Sequence, residues 1–84
     1  MIYYIFSFID GDLCYSREYL PKSRICDNEN KNRAEVLRLH FLQYGLANIK
    51  VKDYEEYSVF RTQYDSNGYY YVTNNVDADI KEFA

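Results

Sequence analysis

Only one stretch of this chain carries a helical start, a helical body and a helical stop. It runs from Glu29 to Leu46 and reads ENKNRAEVLRLHFLQYGL. Asp27, Asn28 and Asn30 are each competent N-caps, and Glu29 sits where negative charge meets the positive end of the helix dipole. At 100° per residue Ala34, Leu37, Phe41 and Tyr44 share a narrow sector, so this face is expected to pack on a core. Gly45 is placed for a left-handed C′ position, with Leu46 behind it for the hydrophobic contact of a Schellman stop. A second apolar strip, Leu39, Leu42 and Leu46, lies roughly opposite. It is expected either to be covered by the N-terminal hairpin or a loop, or to serve as an oligomer interface, which makes a homodimer one candidate assembly.

Everything outside this stretch alternates, or is bounded by turns, in the manner of strands. Ile2–Ile9 is an apolar run suited to a central strand covered on both sides, and Asp10-Gly11 is a two-residue hairpin signal. Leu13–Leu20 returns with Leu13, Tyr15, Arg17 and Tyr19 on one side and Cys14, Ser16 and Glu18 on the other, until Pro21. After the helix, Asn48–Asp53 reads as a half-buried strand, Glu55-Glu56 as a turn, and Tyr57–Tyr64 as a strand. Asp65-Ser66-Asn67-Gly68 is a four-residue turn, and Tyr69–Thr73 a last strand. Val76, Ile80 and Phe83 are spaced for a short terminal helix, against the alternation Val76, Ala78, Ile80 that would suit a strand. The expectation is an α+β fold: an antiparallel sheet of about five strands with one main helix packed on one face, in the order β-β-α-β-β-β, as a single domain over residues 1–84.

Eleven tyrosines and five phenylalanines in 84 residues exceed what a small core absorbs, so several Tyr must reach the surface. Net charge is −3, unevenly spread. Arg17 to Lys52 holds eight basic and four acidic residues, whereas Asp53 to Ala84 holds seven acidic and two basic ones. The overall acidity makes nucleic acid the less expected partner. Cys14 and Cys26 form no CxxC pair, and the nine-residue apolar start lacks the flanks of a leader or the length of a membrane span. A cytoplasmic protein is expected, in a host cell if the AT-biased composition marks a bacteriophage or mobile element.

No catalytic, metal-binding or cofactor-binding residues are expected. His40 stands without a Cys, Ser or carboxylate at a telling spacing, and Asp53, Glu55 and Glu56 lack the glycine and spacing of a calcium loop. The Ile2-Tyr3-Tyr4-Ile5 start does not continue into the second element of a GIY-YIG nuclease, since Tyr15-Ser16-Arg17 stands there. Asn67-Gly68-Tyr69-Tyr70-Tyr71-Val72-Thr73-Asn74 resembles the aromatic strand of RNA-recognition domains at Gly68, Tyr69, Tyr71 and Val72. It departs at Asn67, Tyr70 and Asn74, and the order of elements departs as well. The α-β-β-β-α order from Glu29 is similar to that of double-stranded-RNA-binding domains, but Asp77 and Asp79 stand where those carry lysines.

The leading expectation is therefore a non-enzymatic interaction protein that inhibits or modulates a host protein with a basic surface. Asp53, Glu55, Glu56, Tyr57, Tyr64, Asp65, Tyr69, Tyr71, Asp77 and Asp79 would form its acidic, Tyr-rich contact. The alternative is a single-stranded nucleic-acid module stacking bases on Tyr69, Tyr71 and Tyr3 or Tyr15, with Arg17, Lys22, Arg24, Lys50 and Lys52 on phosphates.

Overall fold

A computed structural model describes residues 1–9, 11–41, 50–61, 68–75 and 77. Strand β1 (Ile2–Ile9) turns back into β2 (Asp12–Tyr19), with Gly11 at φ 86°, the positive value that a two-residue hairpin loop demands. A single 3-10 turn at Lys22–Arg24 leads to helix α1 (Glu29–His40). Strands β3 (Lys50–Asp53), β4 (Ser58–Arg61) and β5 (Gly68–Thr73) complete one antiparallel sheet in the order β2-β1-β5-β4-β3. The α+β architecture expected from the sequence is the one observed, with α1 on one face of five strands.

Asn28 is the N-cap, its Oδ1 accepting from Lys31 N at 3.1 Å. The buried face of the helix is rotated from the one that apolar spacing selects, sharing Leu37 and Phe41 with it but not Ala34. Ala34 is exposed, while Asn32, Arg33, Val36 and Leu37 are buried and Leu39 and Phe41 are partly so. The reason is that two polar residues on the buried face find hydrogen-bond partners there. Asn32 clamps the incoming chain, accepting from Cys26 N and donating to Cys26 O, both at 2.9 Å. Arg33 reaches across to the β3–β4 turn. A buried polar group is tolerated when it is hydrogen-bonded, so Asn32, and Arg33 through its two Nη atoms, replace apolar side chains at helix positions facing the sheet. Tyr44, Gly45 and Leu46 lie outside the described residues.

The core between helix and sheet is Tyr3, Ile5, Leu20, Val36, Leu37, Phe60, Tyr70 and Val72. Phe41 meets Tyr70 edge-on at 4.8 Å between ring centres. Strand β3 is exposed throughout, Val51 included, so the half-buried strand expected there is an uncovered edge. Val51 is on the helix side of the sheet, but α1 packs on β1, β2 and β5 and leaves this outer strand uncovered.

Tyr3 is wholly buried under the start of α1, and its hydroxyl donates to the Glu29 carboxylate at 3.0 Å. Burial first, and the Glu29 carboxylate next, push its phenol well above the ordinary tyrosine range. A raised folded-state value means that the folded protein holds this proton more tightly than the unfolded chain. That stabilisation is complete below the unfolded value of about 10 and is lost as pH rises past it. Urea titrations on either side of about pH 10 should show stability falling with pH, and Tyr3→Phe should flatten that fall; an equally steep fall in the variant would assign it to other groups.

Candidate functional site

The strand register decides which side chains share the face opposite the helix. Pairing sets Phe6 against both Tyr15 and Tyr71, and Tyr71 against Val59, which faces Lys52. One row up, Phe8 faces Leu13 and Tyr69, and on the outer hairpin Arg61 faces Lys50. One row down, Tyr4 faces Arg17 and Thr73, and beyond it Ile2 faces Tyr19. Because side chains alternate along a strand, all of these point away from α1. Among the described residues, no strand position on this face is Asp or Glu, whereas Arg17, Lys50, Lys52 and Arg61 all are on it.

The aromatic side chains form a connected set. Tyr15 stacks near Tyr4 at 6.1 Å and tilts on Phe6 at 5.2 Å. Tyr71 lies 6.5 Å from Tyr69 and 6.3 Å from Tyr57, which stacks on Tyr54 at 4.7 Å. Tyr57, Val59 and Tyr71 are buried together, with Phe6 and Tyr54 against them. Around this buried strip, Tyr15, Tyr19 and Leu13 are more than half exposed, and Phe8 and Tyr69 are more than a third exposed. The cations are set over rings. The Arg61 guanidinium is 5.0 Å from the Tyr69 ring centre, and Lys52 Nζ is 5.3 Å from that of Tyr54. Lys50, Val51, Lys52, Val59, Arg61 and Tyr69 line a shallow hollow of about 190 Å³.

The expected contact residues do not all gather on this face. Tyr69 and Tyr71 belong to it, Tyr69 at the surface and Tyr71 only 2% exposed. Tyr57 is in the buried strip. Asp53 is on the helix side, where its Oδ1 accepts from Ser58 Oγ at 2.6 Å and closes the β3–β4 hairpin. Glu55 and Glu56 are exposed at that hairpin's turn. Asp77 is exposed, its backbone N–H bonded to Asn75 Oδ1 at 3.0 Å. Tyr64, Asp65 and Asp79 lie outside the described residues. Of the leucine strip, Leu39 is partly buried against the core and Leu42 and Leu46 lie outside the described residues.

For the alternative set, Tyr3 is in the helix-side core and Tyr15 is on the face opposite the helix, called the open face for its exposed Leu13, Tyr15, Tyr19 and Tyr69, although Tyr57, Val59 and Tyr71 at its centre are buried. Phe8, Tyr19 and Arg61 belong to the open face but were in neither expected set. The alternation Leu13-Tyr15-Arg17-Tyr19 already grouped Tyr19 with Tyr15 and Arg17, but only the docking side of the helix reveals that this is the face opposite it. His40 lies apart, Nδ1 2.8 Å from Glu18 Oε1 and its ring edge-on to Phe41. Among the described residues, no three His, Cys, Asp or Glu come together as a metal ion would require, and no helix is long and apolar enough to cross a membrane. Compared with known protein families, curated proteins and solved structures, the chain matches none.

Proposed function

We propose that this protein is a small non-enzymatic binding domain that holds a single-stranded nucleic acid on the exposed rings of the sheet face opposite its helix. The observation that supports this reading is the composition of that face. Aromatic rings on adjacent strands are interleaved with Arg17, Lys50, Lys52 and Arg61, and no described strand position there is acidic. Exposed rings stack on bases of any sequence, and cations beside them neutralise phosphates. The net charge of −3 describes the whole molecule; Glu55 and Glu56 are at a turn, and Asp53 is on the other side of the sheet.

The test is fluorescence anisotropy with labelled single-stranded RNA and DNA at low salt. Binding should weaken steeply as salt is added. Tyr15→Ala and Tyr69→Ala should each weaken it by about 1–3 kcal/mol, roughly five- to 150-fold. No anisotropy change at tens of micromolar protein would remove this reading.

A second reading is favoured by the exposed Glu55-Glu56 turn, backed by the stacked Tyr54 and Tyr57. In it the domain is a phage or mobile-element protein that modulates a host protein with a basic surface. Salt-sensitive binding to such a partner, abolished by Glu55→Lys with Glu56→Lys and indifferent to Tyr15→Ala, would establish it in place of the first.

A further inference from the structure

The two edges of the sheet are built differently. Edge strand β3 is four residues long and carries Lys50 and Lys52, a common way of keeping an edge from pairing. Edge strand β2 is eight residues long, contains neither Lys nor Pro, and exposes Leu13, Tyr15 and Tyr19 by 62, 51 and 64%. Such an edge is a template for another strand.

The hydrogen-bond phase of β2 is fixed by its end. Leu20 and Met1 exchange both backbone bonds, Leu20 N to Met1 O at 2.8 Å and Met1 N to Leu20 O at 3.2 Å. Inward bonding therefore falls on the even-numbered residues of β2, and the N–H and C=O groups of Leu13, Tyr15, Arg17 and Tyr19 point outward. We propose that β2 pairs with β2 of a second copy, antiparallel about a two-fold axis through Ser16, to give a continuous ten-stranded sheet.

Only odd-numbered residues can exchange bonds across this edge, so registers that oppose an odd to an even position are excluded. Of the remaining registers, those centred on Arg17 and on Glu18 oppose like charges, one centred on Tyr15 opposes Asp12 to Glu18, and one centred on Cys14 pairs only residues 12–16 and leaves Arg17 and Tyr19 without a β2 partner across the axis. Centring on Ser16 opposes Leu13 to Tyr19 and Tyr15 to Arg17 on the open face, and Cys14 to Glu18 on the helix face. Each copy then offers an aromatic ring to the other's guanidinium and an apolar side chain to the other's tyrosine. A two-fold interface must be self-complementary in this way. The pairing also sets the two open faces side by side. It does not depend on which ligand those faces hold.

Sedimentation equilibrium should give twice the chain mass of 10.1 kDa. Arg17→Pro removes an outward N–H while leaving the inward ladder, and should return the protein to the chain mass with its circular dichroism kept. Where that variant fails to fold, cross-linking decides. Ser16→Cys with Cys14→Ser and Cys26→Ser should oxidise to a disulfide-linked dimer, since position 16 meets its own copy at the axis. The protein with its own Cys14 and Cys26 should not cross-link through Cys14, which faces Glu18 of the other copy. A chain that stays monomeric at the highest soluble concentration would overturn the proposal. So would a dimer that Arg17→Pro leaves intact, one that Ser16→Cys fails to cross-link, or one that links through Cys14.

Discussion

Arg33→Ala should cost about 3–5 kcal/mol of folding stability, from buried acceptors left without a donor at about 1–3 kcal/mol each together with lost packing. Arg33 is 1% exposed, on the second turn of α1. Its Nη1 donates to Tyr54 O at 2.8 Å and to Ser58 Oγ at 3.3 Å, and its Nη2 donates to Glu55 O at 2.7 Å. Its Nε faces Glu29 Oε1 at 3.5 Å, too far for a good hydrogen bond. Truncation leaves a cavity, strands these acceptors without their donor, and cuts the tie between the helix and the β3–β4 turn. Arg33→Met should recover the packing but not the bonds, and so should fall well short of the wild type. Arg33→Lys should also fall short, because an ammonium cannot present the planar fork that reaches both carbonyls. Urea denaturation measures the loss, and each kcal/mol is roughly 4–8 °C of Tm in a domain this small. A loss under about 1 kcal/mol would mean that water readily replaces the guanidinium.

Leu37→Ala should be almost as damaging, at about 2–5 kcal/mol. Leu37 is fully buried, and its neighbours in the core, Tyr3, Ile5, Leu20 and Val72, are fully buried as well. A side chain removed from such a site leaves a space that its neighbours cannot fill without leaving their rotamers. Ala34→Lys supplies the contrast. Ala34 is exposed, so this change should stay within about 0.5 kcal/mol. Equal losses at 34 and 37 would place the buried face of the helix where apolar spacing puts it, and not where the structure does.

That contrast locates the limit of what the residues reveal by themselves. Strand positions and the two-residue turn at Gly11 are local, and the local chemistry was legible; the N-cap narrows to Asp27, Asn28 or Asn30, of which the structure uses Asn28. The sidedness of β2 was legible too, because alternation is a property of one strand. The helix face was legible only in part, since Leu37 and Phe41 face the core as apolar spacing has it and Ala34 does not. Asn32 and Arg33 look like solvent-facing residues until the loop at Cys26 folds back on the helix and the carbonyls of Tyr54 and Glu55 arrive from farther along the chain. The same applies to the binding face. Asp53 and Tyr57 are four residues apart, yet one is on the helix side of the sheet and the other in the buried strip of the opposite face. Charge counted along the chain therefore grouped residues that the sheet separates. It could not show that Tyr69, from one end of the chain, would stand beside Phe8, from the other.

The placement of β5 between β1 and β4 also sets an order of events for folding. The β1–β2 and β3–β4 hairpins pair residues close in sequence and can form as soon as each is available. Neither can join the other. The bridge between them is β5, the last described strand, which pairs with the first strand on one side and with β4 on the other. Until β5 inserts, each hairpin presents an unsatisfied inner edge, and the helix has only part of a sheet to cover. Closing so long a loop is the slow step of such topologies. During synthesis, the chain therefore passes through a stage with two incomplete half-sheets, when the inner edges of β1 and β4 are exposed to pairing with the wrong neighbour.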